Sequence, residues 1–311
     1  VLLSLLLLPL WGITGYIYTM IFASFITSIY TMLAGKEYEY FSLKWLSKEK
    51  LCEMLKYSIP MIPNSVMWWV LSTLNRPLLE HYSGIDSVGI LAVANKFPML
   101  LTMVYGVFTY SWQISVLEEF KSEGYKMFYN RIFRILLVVL SFFLLGITLL
   151  SRPLIEMMTT SGYYEAWLYV PLLSLSVVFS NLAGFVGTNF LATKESKYYF
   201  STSVWGGIAC ILMNFLFIPL LGIWGAVISI LVSNVLILLL RLRITWKYVP
   251  VFRWHIHISV LLVIGVYMVL SFFVENMFVD VFCFLLSLSI IMLLNRDFLR
   301  EAFAVYRKMK E

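Results

Sequence analysis

Residues 8–15 read LPLWGITG, and residues 218–225 read IPLLGIWG. Five positions coincide at one offset of 210 residues: Pro9 with Pro219, Leu10 with Leu220, Gly12 with Gly222, Ile13 with Ile223 and Gly15 with Gly225. Each copy lies between two apolar segments and reads as a tight turn. Proline stops one helix, and the glycines permit the turn and close packing at the start of the next. A generic Pro-Gly hairpin would explain either copy alone. Parity favours a repeat, because six apolar spans separate the turns and an even number leaves both on one side of a membrane. Such units form a parallel repeat about an axis along the membrane normal.

The composition requires that membrane. Of the 311 residues, 61% are apolar and 13% charged, against roughly 45–50% and about 25% in ordinary soluble domains. So much apolar surface excludes a cytosolic enzyme, a secreted disulfide scaffold and a nucleic-acid-binding domain. A bilayer span needs about 20 mainly apolar residues. Segments of that kind fall at 12–34, 52–80, 87–117, 131–151, 164–191, 198–219, 221–242, 255–274 and 277–295, and residues 1–10 read as the tail of a further one. Cys52, Cys210 and Cys283 lie far apart with no metal-ligand spacing, so neither a metal site nor a disulfide framework is expected. His255 and His257 form an H-x-H at the start of an apolar segment. They read as interfacial residues, with a metal or pH role as the alternative.

Charge placement gives the orientation. Lys36, Lys44, Lys48, Lys50 and Lys56 surround one loop; Lys121, Lys126, Arg131 and Arg134 surround the loop two spans later. Lys194 and Lys197 follow, then Arg241, Arg243, Lys247 and Arg253, then Arg296, Arg300, Arg307, Lys308 and Lys310 in the tail. These are 20 of the 23 basic residues, all on every second loop. The intervening loops carry Glu80, Asp86, Glu156, Glu165, Glu275 and Asp280, with Arg152 the exception. By the positive-inside rule the C-terminus is cytoplasmic, and the net charge of +6 mostly sets orientation.

The repeat predicts the organisation. Residues 1–34 read as the end of an N-terminal six-helix lobe and 35–51 as an interfacial or solvated cytoplasmic linker. Residues 52–245 read as a C-terminal six-helix lobe, and 246–311 as two additional helices and a tail. The chain starts at Val1 within an apolar run. A first lobe matching the second would begin roughly 160 residues earlier, in a protein of about 470–480 residues.

A charge at the centre of a membrane helix costs about 2.5–3.5 kcal/mol on insertion scales, so intramembrane cations demand a reason. Lys96 lies roughly 13 Å inside the 87–117 span at about 1.5 Å per residue, farther than a lysine stem comfortably snorkels. Arg76 lies near the end of the preceding span, with Glu80 one turn on. It reads either as half of an interfacial ion pair or as a ligand for phosphate or carboxylate. Asn64, Trp68, Ser72 and Asn75 share one helical face; Asn95, Thr102, Gly106, Thr109 and Gln113 share another. In lipid such faces meet either other helices or a water-filled cavity. Pro60, Pro63 and Pro98 are expected to kink these spans. Asn181, Asn189, Asn214 and Asn234 read as packing residues. No carboxylate is placed deep in a span, and no phosphate-binding loop, nucleophile elbow or zinc motif is present.

The stretch 55–119 contains LKYSIPMIPNSVMWW, NRPLLEHYSG, VGILAVANKFPML and FTYSWQISVLEE. It resembles the seventh and eighth helices of Wzx-like polysaccharide flippases, which handle O-antigen or capsule repeat units in the multidrug/oligosaccharidyl-lipid/polysaccharide exporter superfamily. PLLGIWGA at 219–226 is similar to that family's turn before the twelfth helix. Many relatives carry an acidic residue where Asn75 stands. The resemblance implies an all-α, two-lobe integral membrane bundle in the bacterial cytoplasmic membrane. It implies alternating access through a cationic cavity and a substrate of oligosaccharide on undecaprenyl pyrophosphate. Arg76 and Lys96 would attract the pyrophosphate or acidic sugars, and Asn64, Asn75, Asn95 and Gln113 would hydrogen-bond the glycan. Membrane lipids, a polysaccharide polymerase and assembly proteins are implied partners. No cofactor is implied beyond possible coupling to Na+ or H+. The competing expectations are an ion-coupled drug antiporter of the same superfamily, which needs a coupling carboxylate, and a membrane polymerase or glycosyltransferase, which needs a large catalytic outer loop.

Overall fold

A computed structural model describes residues 2–40, 47–59, 62, 66–67, 69, 73–274 and 276–296. The helices are α1 (Leu2–Ala34), α2 (Lys48–Ser58), α3 (Asn75–Ser83), α4 (Ile85–Ala94), α5 (Pro98–Glu119) and α6 (Tyr125–Met158). They continue as α7 (Val170–Ala192), α8 (Ser196–Leu221), α9 (Ile223–Thr245), α10 (Trp254–Phe273) and α11 (Met277–Leu294). No strand occurs among the described residues. Eight helices there are long and apolar enough to cross a bilayer, which makes this an all-α, multi-pass membrane protein. Contacts divide the chain into one unit ending at Ser58 and another beginning at Ile59.

In the first unit α1 is two helical pieces meeting at Gly12, whose backbone leaves the helix at φ 58°, ψ −137°. In the second, α8 ends and α9 begins at Gly222, at φ 57°, ψ −126°. The two repeat turns therefore share one backbone conformation, in a region that only glycine occupies without strain. The likeness extends beyond the matched letters. Thr19 donates its hydroxyl to the Gly15 carbonyl at 2.9 Å, and Ser229 donates to the Gly225 carbonyl at 2.7 Å. Both hydroxyls are buried and stand at the same 210-residue offset.

The second unit is built around α9, which packs along α8 and α7. A Cβ on Gly225 would fall inside the Phe217 carbonyl, so the glycine lets α9 fold tightly back on α8. Helices α5 and α6 lean on α7, α3 leans on α8, and α10 pairs with α11 while both touch α6. The turn after α10 is held by Arg152, which donates to the Val274 carbonyl at 3.4 Å and covers the Trp167 ring at 4.1 Å. Arg152, the exception to the charge alternation, is thus spent on packing. At the opposite end Asn130 donates to the Pro250 carbonyl at 3.0 Å and accepts from the Phe252 N–H at 2.7 Å, clasping the strap between α9 and α10. There too Tyr125 donates to Asn189 at 2.7 Å, and Lys247 approaches Glu195 at 3.6 Å. The basic loops near 121–126, 194–197 and 247–253 gather at this one end.

Two of the described spans depart markedly from their expected extents. The segment 131–151 belongs to a helix of 34 residues, α6, about 50 Å long at roughly 1.5 Å per residue. It outruns the apolar stretch because Ser151 and Ile155 remain buried past its end. Most of the expected loop 152–163 is therefore helix. The segment 87–117 is interrupted at residues 95–97. Pro98 has no N–H to return to the Ala94 carbonyl, and Lys96 instead donates to Val93 at 3.0 Å in a tighter turn.

Gly222→Val is expected to strain the shared turn by about 1–3 kcal/mol and to lower the midpoint of thermal unfolding in detergent. Gly265→Ala, in a helical glycine with open space around it, should leave that midpoint unchanged or slightly raised.

Candidate functional site

The sequence candidates that the structure describes fall on α3, α4 and α5. Asn75 opens α3 with its side chain buried, and its Oδ1 has no hydrogen-bond partner. Arg76 beside it is exposed, as is Glu80 one turn on. No ion contact joins the two among the described residues. Asn95 spends its Nδ2 on the Leu91 carbonyl at 2.8 Å, capping α4 in the proline-induced turn. Lys96 stands in that turn and is exposed. Asn64, Trp68 and Ser72 lie outside the described residues.

Helix α5 is oriented by its aromatic side. Trp112 is buried, stacks on Phe185 of α7 at 4.3 Å and 14°, and donates its indole N–H to Thr188 at 2.9 Å. Asn181 of α7 reaches the Leu101 carbonyl at 3.4 Å. Leu101, Trp112 and Val116 thus face the core. Thr102 and Gln113 are exposed along the side left uncovered, with Gly106 and Thr109 half-buried between them. A polar stripe turned away from the core of its own unit suits a surface that meets water or another polar partner. The structure brings Asn75 and Arg76 together on α3, and Asn95 and Lys96 in one turn; Gln113 stands near the other end of α5.

One buried cation was assigned by sequence to orientation charge. Arg241 is fully buried. It donates to the Ala183 carbonyl at 2.7 Å, Thr202 at 3.2 Å and Ser203 at 3.0 Å, and its guanidinium lies 4.2 Å from the Tyr199 ring. A Cβ on Gly187 would stand 2.7 Å from it. All its acceptors are neutral, and three helices converge on it. The signal in the sequence was its place inside the apolar run LLLRLR rather than after it. The asparagines bear out the packing expectation: Asn234 donates to Ser176 of α7 at 2.9 Å, and Asn189 takes the Tyr125 hydroxyl. His257 is buried edge-on to Phe133 at 5.1 Å. No cluster of metal-binding side chains occurs among the described residues.

Residues 1–113 match the family model described as polysaccharide biosynthesis protein. A solved structure, lipid II flippase MurJ in its inward closed conformation, aligns with a TM-score of 0.62 at 18% identity. The two share one fold. The alignment covers 83% of this chain and 57% of that one, so the chain spans little more than half of the flippase's length. No match was found among curated proteins. The family match covers most of the stretch 55–119 on which the resemblance rests and stops short of 219–226; the structural match shows the fold.

Arg241→Lys is expected to destabilise the protein by about 2 kcal/mol or more, because one ammonium cannot replace a fork bonded to three oxygens. Thermal unfolding in detergent should show a midpoint several degrees lower. An unchanged midpoint would remove the guanidinium from the packing account.

Proposed function

We propose that the protein is a flippase for undecaprenyl-pyrophosphate-linked oligosaccharide repeat units of a surface polysaccharide. It would work in the bacterial cytoplasmic membrane by alternating access. The observation that carries this reading is a fold shared with a lipid II flippase, combined with two exposed cations, Arg76 on α3 and Lys96 in the turn that leads into the polar stripe of α5. The match of residues 1–113 to a polysaccharide biosynthesis family supports the same class of cargo.

The chemistry follows from the residues. A guanidinium and an ammonium suit a pyrophosphate, the first in a fork and the second as a point charge. Thr102 and Gln113 offer hydrogen bonds in the style needed by sugar hydroxyls. Asn75 keeps a buried acceptor without a partner, which a moving helix or a passing hydroxyl can satisfy. The lipid tail stays in the bilayer throughout, so the protein needs to shelter only the polar headgroup. Nothing in this scheme forms or breaks a covalent bond. The basic loops gathered at one end support a cytoplasmic side there under the positive-inside rule, and residues 246–311 would add two helices and a tail beyond a six-helix lobe.

The test is the double substitution Arg76→Ala with Lys96→Ala in the intact protein, in cells lacking their own copy. Each charge-assisted contact contributes about 1.5–3 kcal/mol, so surface polysaccharide should fall by roughly tenfold or more at normal expression, with Arg76→Lys retaining part of the export. Unchanged export by the double variant would take both residues out of the mechanism.

A further inference from the structure

At the basic end, the α5–α6 turn and the strap after α9 enclose a groove of about 540 Å³. Its aromatic walls are Phe120, Tyr125 and Tyr248, and its charges are Lys126, Lys247 and Glu123. The rings are fixed against one another: Phe120 lies 5.1 Å from Tyr125 and 6.4 Å from Tyr248. Lys247 is held in place but only half used. Its ammonium is 3.6 Å from Glu195, 4.4 Å from the Tyr248 ring and 5.1 Å from the Tyr198 ring, and the side chain remains about half exposed. Tyr248 in turn donates its hydroxyl to Glu195. The neighbouring Tyr248 hydroxyl, with Glu195 adding to the effect, raises the Lys247 ammonium above its ordinary range. The N-terminus of α6, which no side chain caps, adds partial positive charge beside Lys126.

The level of the groove narrows the ligand. Helix α5 ends at Glu119, α6 begins at Tyr125 and α9 ends at Thr245, so the groove lies where these helices leave the apolar layer. Trp246, exposed and stacked on Trp254 at 6.1 Å, marks the same level, as interfacial aromatics do. Lipid headgroups occupy this zone. Two ammonium groups call for a phosphate. Glu123 and the aromatic faces call for a cation, since a ring face attracts an ammonium within about 6 Å. A purely anionic headgroup would set its charge against Glu123.

We propose that this groove binds the headgroup of phosphatidylethanolamine, with the phosphate on Lys126 and Lys247 and the ammonium on Glu123 and the aromatic rings. The site is separate from α3, α4 and the polar stripe of α5, and it stands whether or not the transport reading does.

Native mass spectrometry of the purified intact protein, titrated with phosphatidylethanolamine or phosphatidylglycerol in detergent, tests it. The expected result is a preference of about fivefold or more for phosphatidylethanolamine. Lys126→Gln with Lys247→Gln removes both phosphate contacts and should weaken binding by about tenfold or more, and Glu123→Gln should erase the preference. Millimolar inorganic phosphate should not compete; competition would mean a free-phosphate site and would overturn the lipid assignment. Equal or tighter binding of phosphatidylglycerol, or wild-type affinity in the double variant, would also overturn it. Both lysines are on the surface, and an unchanged unfolding midpoint in the variants separates lost binding from lost fold.

Discussion

The contact between Trp112 and Phe185 sets which side of α5 the second unit leaves uncovered. The indole is stacked at 4.3 Å and its N–H is committed to Thr188, so α5 cannot rotate about its axis without leaving a buried donor bare. That loss costs about 1–3 kcal/mol in a protein interior. With the rotation fixed, Thr102 and Gln113 stand on the uncovered side. The break at 95–97 then matters, because α4 rests on the 3-10 turn Ser161–Leu168 while α5 rests on α7. Lys96 occupies the joint between two separately anchored helices.

Lipid shapes the rest by refusing to solvate polar atoms. The short hydroxyls turn inward on their own helices, as Ser141, Thr148 and Ser233 do toward carbonyls three or four residues back. Longer amides cross between helices, as Asn234 and Asn181 do. The outer surface is left to Leu, Ile, Val, Phe and Met, the side chains that need no partner there. In this solvent a large exposed apolar residue is the expected state, so exposed polar groups such as Gln113 carry the information.

Much of this was legible beforehand. Apolar length alone located every described long span, and the paired turns at Gly12 and Gly222 carried the repeat, since a positive φ with ψ near −130° constrains the position to glycine. The kink before Pro98 followed from a missing N–H. The helical extension past residue 151 was not legible, because Ser151 and Ile155 are buried by other segments of the chain. Arg241 was misplaced for the same reason. A basic residue near the end of an apolar run reads as solvated, and only tertiary structure supplies Ala183, Thr202, Ser203 and Tyr199 around it. For Arg76 and Lys96 the sequence indicated the chemistry and set Lys96 inside a span, while the exposure of both side chains required coordinates.

Arg241 has a mechanical corollary. Pulling α7, α8 or α9 away from the others strips a permanently charged fork of its oxygens in a medium without water. Exposing a buried charge in this way costs about 3–5 kcal/mol, enough to hold the separated arrangement below about one molecule in a hundred. These three helices are therefore held to one another as the stator of the unit. In the alternating access proposed above, the stroke would fall to the helices that the guanidinium does not touch.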